Sequence, residues 1–110
     1  MMKKVYICSP LDGNVDENLQ KAVRYTKYAL ECGTAPVVPH FYELCLDANI
    51  PTEREKGIAA GKSLLWFCDE LWIFGDEVTE GMQAEISFCK NLNIKTRMIK
   101  ESEITNMIGG

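Results

Sequence analysis

The run Leu71-Trp72-Ile73-Phe74 is apolar without interruption, and it lies between the acidic pair Asp69-Glu70 and the turn formers Gly75-Asp76. A strand that is apolar on both faces must be covered on both faces, which is the position of a central strand in a helix-flanked parallel sheet. The flanking sequence offers the covers. Residues 3–8 are β-rich and stop at Ser9-Pro10, because proline cannot continue a central strand. The loop to Asp16 carries Pro10, Asp12, Gly13 and Asn14, all turn formers, and Asn14 or Asp16 can cap a helix.

Residues 17–32 have helical spacing, with Leu19, Ala22, Val23, Thr26, Ala29 and Leu30 on one face and Gly33 as the stop. A short proline-bounded strand is expected over 34–39, then a short helix from His40 to Ala48 with Phe41, Leu44, Cys45 and Ala48 inward. Thr52-Glu53-Arg54-Glu55 has the form of a capping box. It would open a helix to about Phe67, with Ile58, Gly61, Leu64 and Leu65 inward. After the central strand, a helix from Gly81 or Met82 to about Leu92 turns Met82, Ile86 and Cys89 inward. A last strand spans Lys95 to Ile99, and 101–108 adds a turn or short helix.

Strands that alternate with helices specify an α/β fold. The expectation is a three-layer, flavodoxin- or Rossmann-like parallel sheet of four to five strands with helices on both faces, in one domain spanning residues 1–110. Ligands of such sheets bind at the carboxyl ends of the strands, near the switch in strand order. Two loops qualify, Cys8 to Asn14 and Gly75 to Gly81.

Bulk properties remove several classes. The formal net charge is −4 and the basic residues are scattered, which argues against nucleic-acid binding. No segment approaches the roughly eighteen apolar residues of a membrane span. Val5–Cys8 is far shorter than the roughly 7–15 residues of a signal-peptide core, so a cytoplasmic protein with no membrane partner is expected. Five cysteines, at 8, 32, 45, 68 and 89, form no Cys-x-x-Cys pair, and the single histidine is His40. They read as buried thiols in a reducing compartment rather than as a zinc site. No metal and no cofactor are expected.

Glu85 is the residue most suited to chemistry. It falls on the inward stripe of the helix that Thr79-Glu80-Gly81-Met82 opens. A buried carboxylate is costly unless it is paired or used. Spacing alone leaves a second reading open, an early-turn acid that favours the helix dipole. The loop from Ser9 to Gly13 could hold a phosphate or sugar hydroxyls through its amides and the Ser9 hydroxyl, although it is not a Walker A loop. Taken singly, Tyr6 reads as a core aromatic, Asp69 as a turn residue, His40 as a helix cap, and Trp66 as core or interface.

Together these residues resemble the nucleoside 2-deoxyribosyltransferase superfamily, and most of all its small branch of bacterial and phage domains of unknown function. The likeness rests on Tyr6 followed by Ser9-Pro10, on Cys68-Asp69-Glu70-Leu71-Trp72-Ile73-Phe74-Gly75, and on Gly81-Met82-Gln83-Ala84-Glu85-Ile86. It runs from about Lys4 to Ile99.

The resemblance implies Glu85 as a nucleophile on an anomeric carbon, Asp69 as the group that protonates or orients the leaving base, and Tyr6 as the residue that positions the nucleophile. Thr79 would touch the sugar or its 5′ group, with Gly81 allowing close approach. The two ligand loops supply Ser9, Pro10, Gly13, Gly75 and Met82 as further substrate-binding candidates, with His40 beside them.

The loop after the first strand lacks the family's fuller glycine pattern and has no basic residue for a 5′-phosphate. The implied partner is a small nucleoside or nucleotide, and the implied assembly a homodimer or higher homo-oligomer. The implied activity is an N-glycosidase or deoxyribosyltransferase. The alternative is a non-catalytic nucleotide or nucleotide-sugar sensor of the same fold. A response-regulator relative would need an acidic cluster after the first strand, which Tyr6-Ile7-Cys8-Ser9 does not supply.

Overall fold

A computed structural model describes residues 2–11 and 13–110. Asp12, a turn former by its sequence, lies outside the described residues. Among the described residues four strands alternate with helices: β1 (Lys4–Cys8), α1 (Val15–Glu31), β2 (Ala35–Val37), a 3-10 helix (Pro39–Leu44), α2 (Pro51–Leu65), β3 (Glu70–Ile73), α3 (Glu80–Asn91), β4 (Lys95–Met98) and α4 (Glu101–Ile108). All strands are parallel, in the order β2-β1-β3-β4. The chain therefore leaves β1 to one side for β2, then returns past it to β3. This reversal is the switch point, and it lies between β1 and β3.

Alternation along the strands divides the core into two layers. Val5, Ile7, Trp72 and Phe74 face α1 and α4, where they meet Tyr25, Tyr28 and Ile104. Tyr6, Cys8, Leu71 and Ile73 face α2 and α3, where they meet Leu65, Met82, Ile86 and Cys89. The central strand is buried at every position, as its composition requires. Among the described residues no helix is long and apolar enough to cross a membrane.

Several local expectations are corrected. The inward face of α1 is Asn18, Ala22, Tyr25, Tyr28 and Ala29, while Val23 and Leu30 are more than half exposed. Aromatic stacking sets this rotation, because Tyr25 lies on Phe74 with ring centroids 4.6 Å apart and Tyr28 meets the same ring edge-on. Asn14, not Asp16, caps the helix, accepting from the Glu17 amide at 3.1 Å. Thr52 caps nothing. Pro51 takes the first position of α2 and Ile50 stands as its cap without a side-chain bond. Proline's fixed φ and missing N–H suit that position. The segment after β2 is a 3-10 helix that buries His40 and leaves Phe41, Leu44 and Cys45 exposed.

Candidate active site

A cleft of about 240 Å³ opens at the carboxyl end of β1, between the 3-10 helix, α2 and α3. One of its polar contacts joins residues far apart in the chain. The Tyr6 hydroxyl donates to Glu85 Oε2 at 2.7 Å. Each partner has a local reason for its position. Tyr6 is the middle residue of β1 and alternates onto the α2/α3 face. Thr79 caps α3, its Oγ1 accepting from the Met82 amide at 3.3 Å, with the Met82 sulfur 3.5 Å from the Thr79 amide. That cap fixes where α3 begins, so Glu85 arrives on the same side as buried Met82, with Ile86 and Cys89 closing the core below.

Room for the tyrosine hydroxyl comes from α2. A Cβ at Gly61 would lie 3.1 Å from Tyr6 Oη and 3.6 Å from Pro39 Cβ. Glycine inside a helix costs about 1 kcal/mol relative to alanine, so its presence here marks a close approach.

Electrostatics match the geometry. Burial pushes the Glu85 carboxyl above the ordinary carboxylate range, opposed by hydrogen bonds from Tyr6 and from the Cys8 thiol. Burial, then the neighbouring Glu85 charge, raises the Tyr6 phenol and the Cys8 thiol far above their ordinary ranges. Both therefore stay neutral and act as donors. The Glu85 carboxylate therefore sits beside a neutral tyrosine donor.

Ser9 and His40 form a second polar pair on the cleft wall. His40 Nε2 lies 2.9 Å from Ser9 Oγ and 3.0 Å from the Ser9 carbonyl oxygen. A carbonyl only accepts, so Nε2 carries the proton; the tautomer is assigned from this network. An imidazole protonated there does not serve as the base of a serine–histidine dyad. His40 Nδ1 is buried without a hydrogen-bond partner among the described residues. Burial holds the imidazole below the ordinary histidine range, despite a backbone bond to Ser9 that opposes this.

Seven of the residues picked from sequence line the cleft: Tyr6, Ser9, His40, Thr79, Gly81, Met82 and Glu85. Asp69 does not join them. Its Oδ2 accepts from the Lys4 amide and its own amide donates to the Lys4 carbonyl, both at 2.8 Å. These bonds tie the amino end of β3 to β1, at the opposite end of the strands from the cleft. The neighbouring Glu70 is the buried acid, ion-paired with Lys3 and accepting from Trp72 Nε1 at 3.0 Å.

Pro10 and Gly75 set the loop path without lining the cleft. Gly75 has φ of 94°, and a Cβ there would lie 3.5 Å from Pro10 Cδ. Gly13 borders a shallower neighbouring depression that shares Leu11 and Leu46 with the cleft.

Sequence reasoning misses the α2 wall. Arg54, Ile58 and Lys62 line the cleft there, where the apolar spacing suggests only a core helix. A signal is present in Gly57-x-x-x-Gly61, two glycines one turn apart on one helix face. Arg54 and Lys62 also bring to the cleft the basic charge that the loop after β1 lacks. Among the described residues no group of three His, Cys, Asp or Glu side chains is placed to hold a metal ion.

Fold and cleft together define a parallel three-layer α/β domain with a part-buried carboxylate at its switch point. A family model described as a domain of unknown function (DUF7768) matches residues 3–99, and the chain belongs to that family. No curated protein matches it. Among solved structures it is similar to the 2-deoxyribosyltransferase of the psychrotolerant bacterium Bacillus psychrosaccharolyticus, with a TM-score of 0.70 and 17% identity over 94% of this chain and 81% of that one. The fold expected from the sequence resemblance is therefore the fold observed.

Proposed function

We propose that the protein cleaves or exchanges the N-glycosidic bond of a nucleoside or nucleotide, with Glu85 as the nucleophile. The observation that carries this reading is the Tyr6–Glu85 hydrogen bond inside the cleft. It holds one carboxylate oxygen and leaves the other to attack.

In the first step a Glu85 oxygen bonds to C1′ of the sugar as the C1′–N bond breaks, and the electron pair leaves on the base nitrogen. Asp69 is at the amino ends of the strands, so the departing base takes its proton from water in the open cleft. In the second step water, or a second base, attacks C1′ and frees the carboxylate. Ser9, with its proton left free by the His40 tautomer, hydrogen-bonds a sugar oxygen. Thr79 and Gly81 contact the far end of the sugar. The protein works in the cytoplasm as a homo-oligomer, a reading supported by five unpaired thiols and by Trp66 and Phe67, which are 62% and 76% exposed.

The absence of Asp69 from the cleft favours a second reading, a binding module that holds a nucleotide without turnover. Incubation with deoxynucleosides and deoxynucleoside monophosphates separates the two. Free base from the wild type and none from Glu85→Ala supports the enzyme. Binding by both proteins with release from neither supports the sensor, and release from Glu85→Ala at the wild-type rate eliminates Glu85 as nucleophile.

A further inference from the structure

We propose that Tyr42 is the platform on which the nucleobase stacks, so that the base lies between the 3-10 helix and α2. This rests on the reading of the cleft as a nucleoside site. The chain has four tyrosines. Tyr25 and Tyr28 pack on Phe74 in the core, and the Tyr6 hydroxyl is taken by Glu85. Tyr42 lines the cleft and is only partly buried. Among the described residues no aromatic ring packs on it and no hydrogen bond holds its hydroxyl. Phe88, another ring of the cleft wall, already meets Trp66 edge-on at 6.3 Å.

The backbone that carries Tyr42 is held. Its carbonyl accepts from the Cys45 and Leu46 amides at 3.0 and 2.8 Å, and His40, two residues earlier, is tied to Ser9 at 2.9 Å. The segment also rests on α2 near both of its ends. A Cβ at Gly61 would lie 3.6 Å from Pro39 Cβ, and one at Gly57 would lie 3.3 Å from Leu46 Cδ1. Tyr42 falls between Pro39 and Leu46 in the chain, so its ring enters the cleft from a braced wall. Little ordering of that wall remains to oppose binding.

The cleft is chemically divided. Tyr6, Ser9, Thr79 and Glu85 gather where β1 ends and α3 begins, and they suit sugar oxygens and the reacting bond. Tyr42, Leu46 and Ile58 offer apolar surface between the 3-10 helix and α2. A nucleobase is planar, and its π face stacks on an aromatic side chain. With C1′ at Glu85 and the sugar among the polar groups, the base falls in the apolar part, against Tyr42.

The test uses the full chain carrying Glu85→Gln, so that a bound nucleoside persists, with deoxyadenosine and thymidine as probes. Adding Tyr42→Ala is expected to weaken binding roughly ten- to hundredfold by calorimetric titration. Tyr42→Phe keeps the ring and is expected to bind like the parent. Tyr42→Leu keeps apolar bulk without a π face; it is expected to bind several-fold more weakly than Tyr42→Phe, and it replaces Tyr42→Ala if the smaller side chain unfolds the segment. By NMR, the base protons should shift upfield on binding to the parent and to Tyr42→Phe, through the ring current of the stacked side chain, and lose that shift in Tyr42→Leu.

Unchanged affinity in Tyr42→Ala or Tyr42→Leu, or a ring-current shift that persists in Tyr42→Leu, overturns the platform and leaves the nucleoside reading standing. A loss in Tyr42→Phe equal to that in Tyr42→Ala also overturns it, since the hydroxyl and not the ring would then hold the base. Failure of the parent to bind either probe overturns the nucleoside reading, and the platform with it.

Discussion

Replacing Tyr6 with phenylalanine removes one oxygen and leaves the rest of a fully packed ring in place. The oxygen it removes donates to Glu85 at 2.7 Å, in a site where burial already disfavours the charged carboxylate. Hydrogen bonds to charged groups contribute about 1.5–3 kcal/mol each. At about 1.4 kcal/mol per pH unit, the Glu85 carboxyl should therefore rise by roughly one to two units further.

The effect on stability depends on pH, and its sign comes from linkage. The folded-state pKa of Glu85 is already above its unfolded value, so ionised Glu85 costs stability, and the cost appears as pH rises through the folded value. Tyr6→Phe deepens that cost. The variant should match the wild type at about pH 4, where both folded states hold the proton, and lose about 1.5–3 kcal/mol by about pH 8. Urea unfolding at both pH values reads this as a fall in midpoint at constant slope. If turnover occurs, its acid limb should shift upward by the same one to two units. Equal destabilisation at both pH values would refute the reasoning, since the hydroxyl would then serve packing alone.

Gly61→Ala sets a Cβ 3.1 Å from Tyr6 Oη, so the tyrosine must give by a few tenths of an ångström. The helix gains about 1 kcal/mol of propensity. Melting temperature should hold or rise while base release falls several-fold, and unchanged release would show that Gly61 has no part in placing Tyr6. His40 is held neutral in the fold, so the unfolded chain takes up a proton first as pH falls through the ordinary histidine range. Wild-type stability should decline there, and His40→Gln should flatten the decline. Parallel curves for the two proteins would show that the imidazole titrates normally.

Much of the fold is legible in the sequence because its periodicities are strong. Leu71–Phe74 can only be a strand covered on both faces, and Met82, Ile86 and Cys89 mark one side of α3 without ambiguity. The α1 stripe is misleading because Val23 and Leu30 look more apolar than Tyr25 and Tyr28, whereas the tyrosines stack on Phe74. The capping pattern at Thr52 is genuine chemistry in the wrong place, since Pro51 opens the helix one residue earlier.

The pairing of Tyr6 with Glu85 joins positions 79 residues apart, and no local pattern carries such a contact. The family resemblance supplies it instead. Asp69 shows the reverse case. A residue that precedes a parallel strand lies at its amino end, and ligands bind at carboxyl ends. Chain direction alone therefore sends Asp69 away from the cleft, against the role that the resemblance implies.

The proposed role of Glu85 as nucleophile requires a covalent bond between its carboxylate and a sugar carbon. A 2′-fluoro-arabinosyl nucleoside slows release of such an intermediate more than its formation, so the adduct accumulates. After incubation and acid quench, intact mass and peptide mapping of the protein should show the fluorosugar on Glu85, and Glu85→Gln should show no adduct. Base release by the wild type with no sugar on the protein, or with the sugar on another residue, would contradict it.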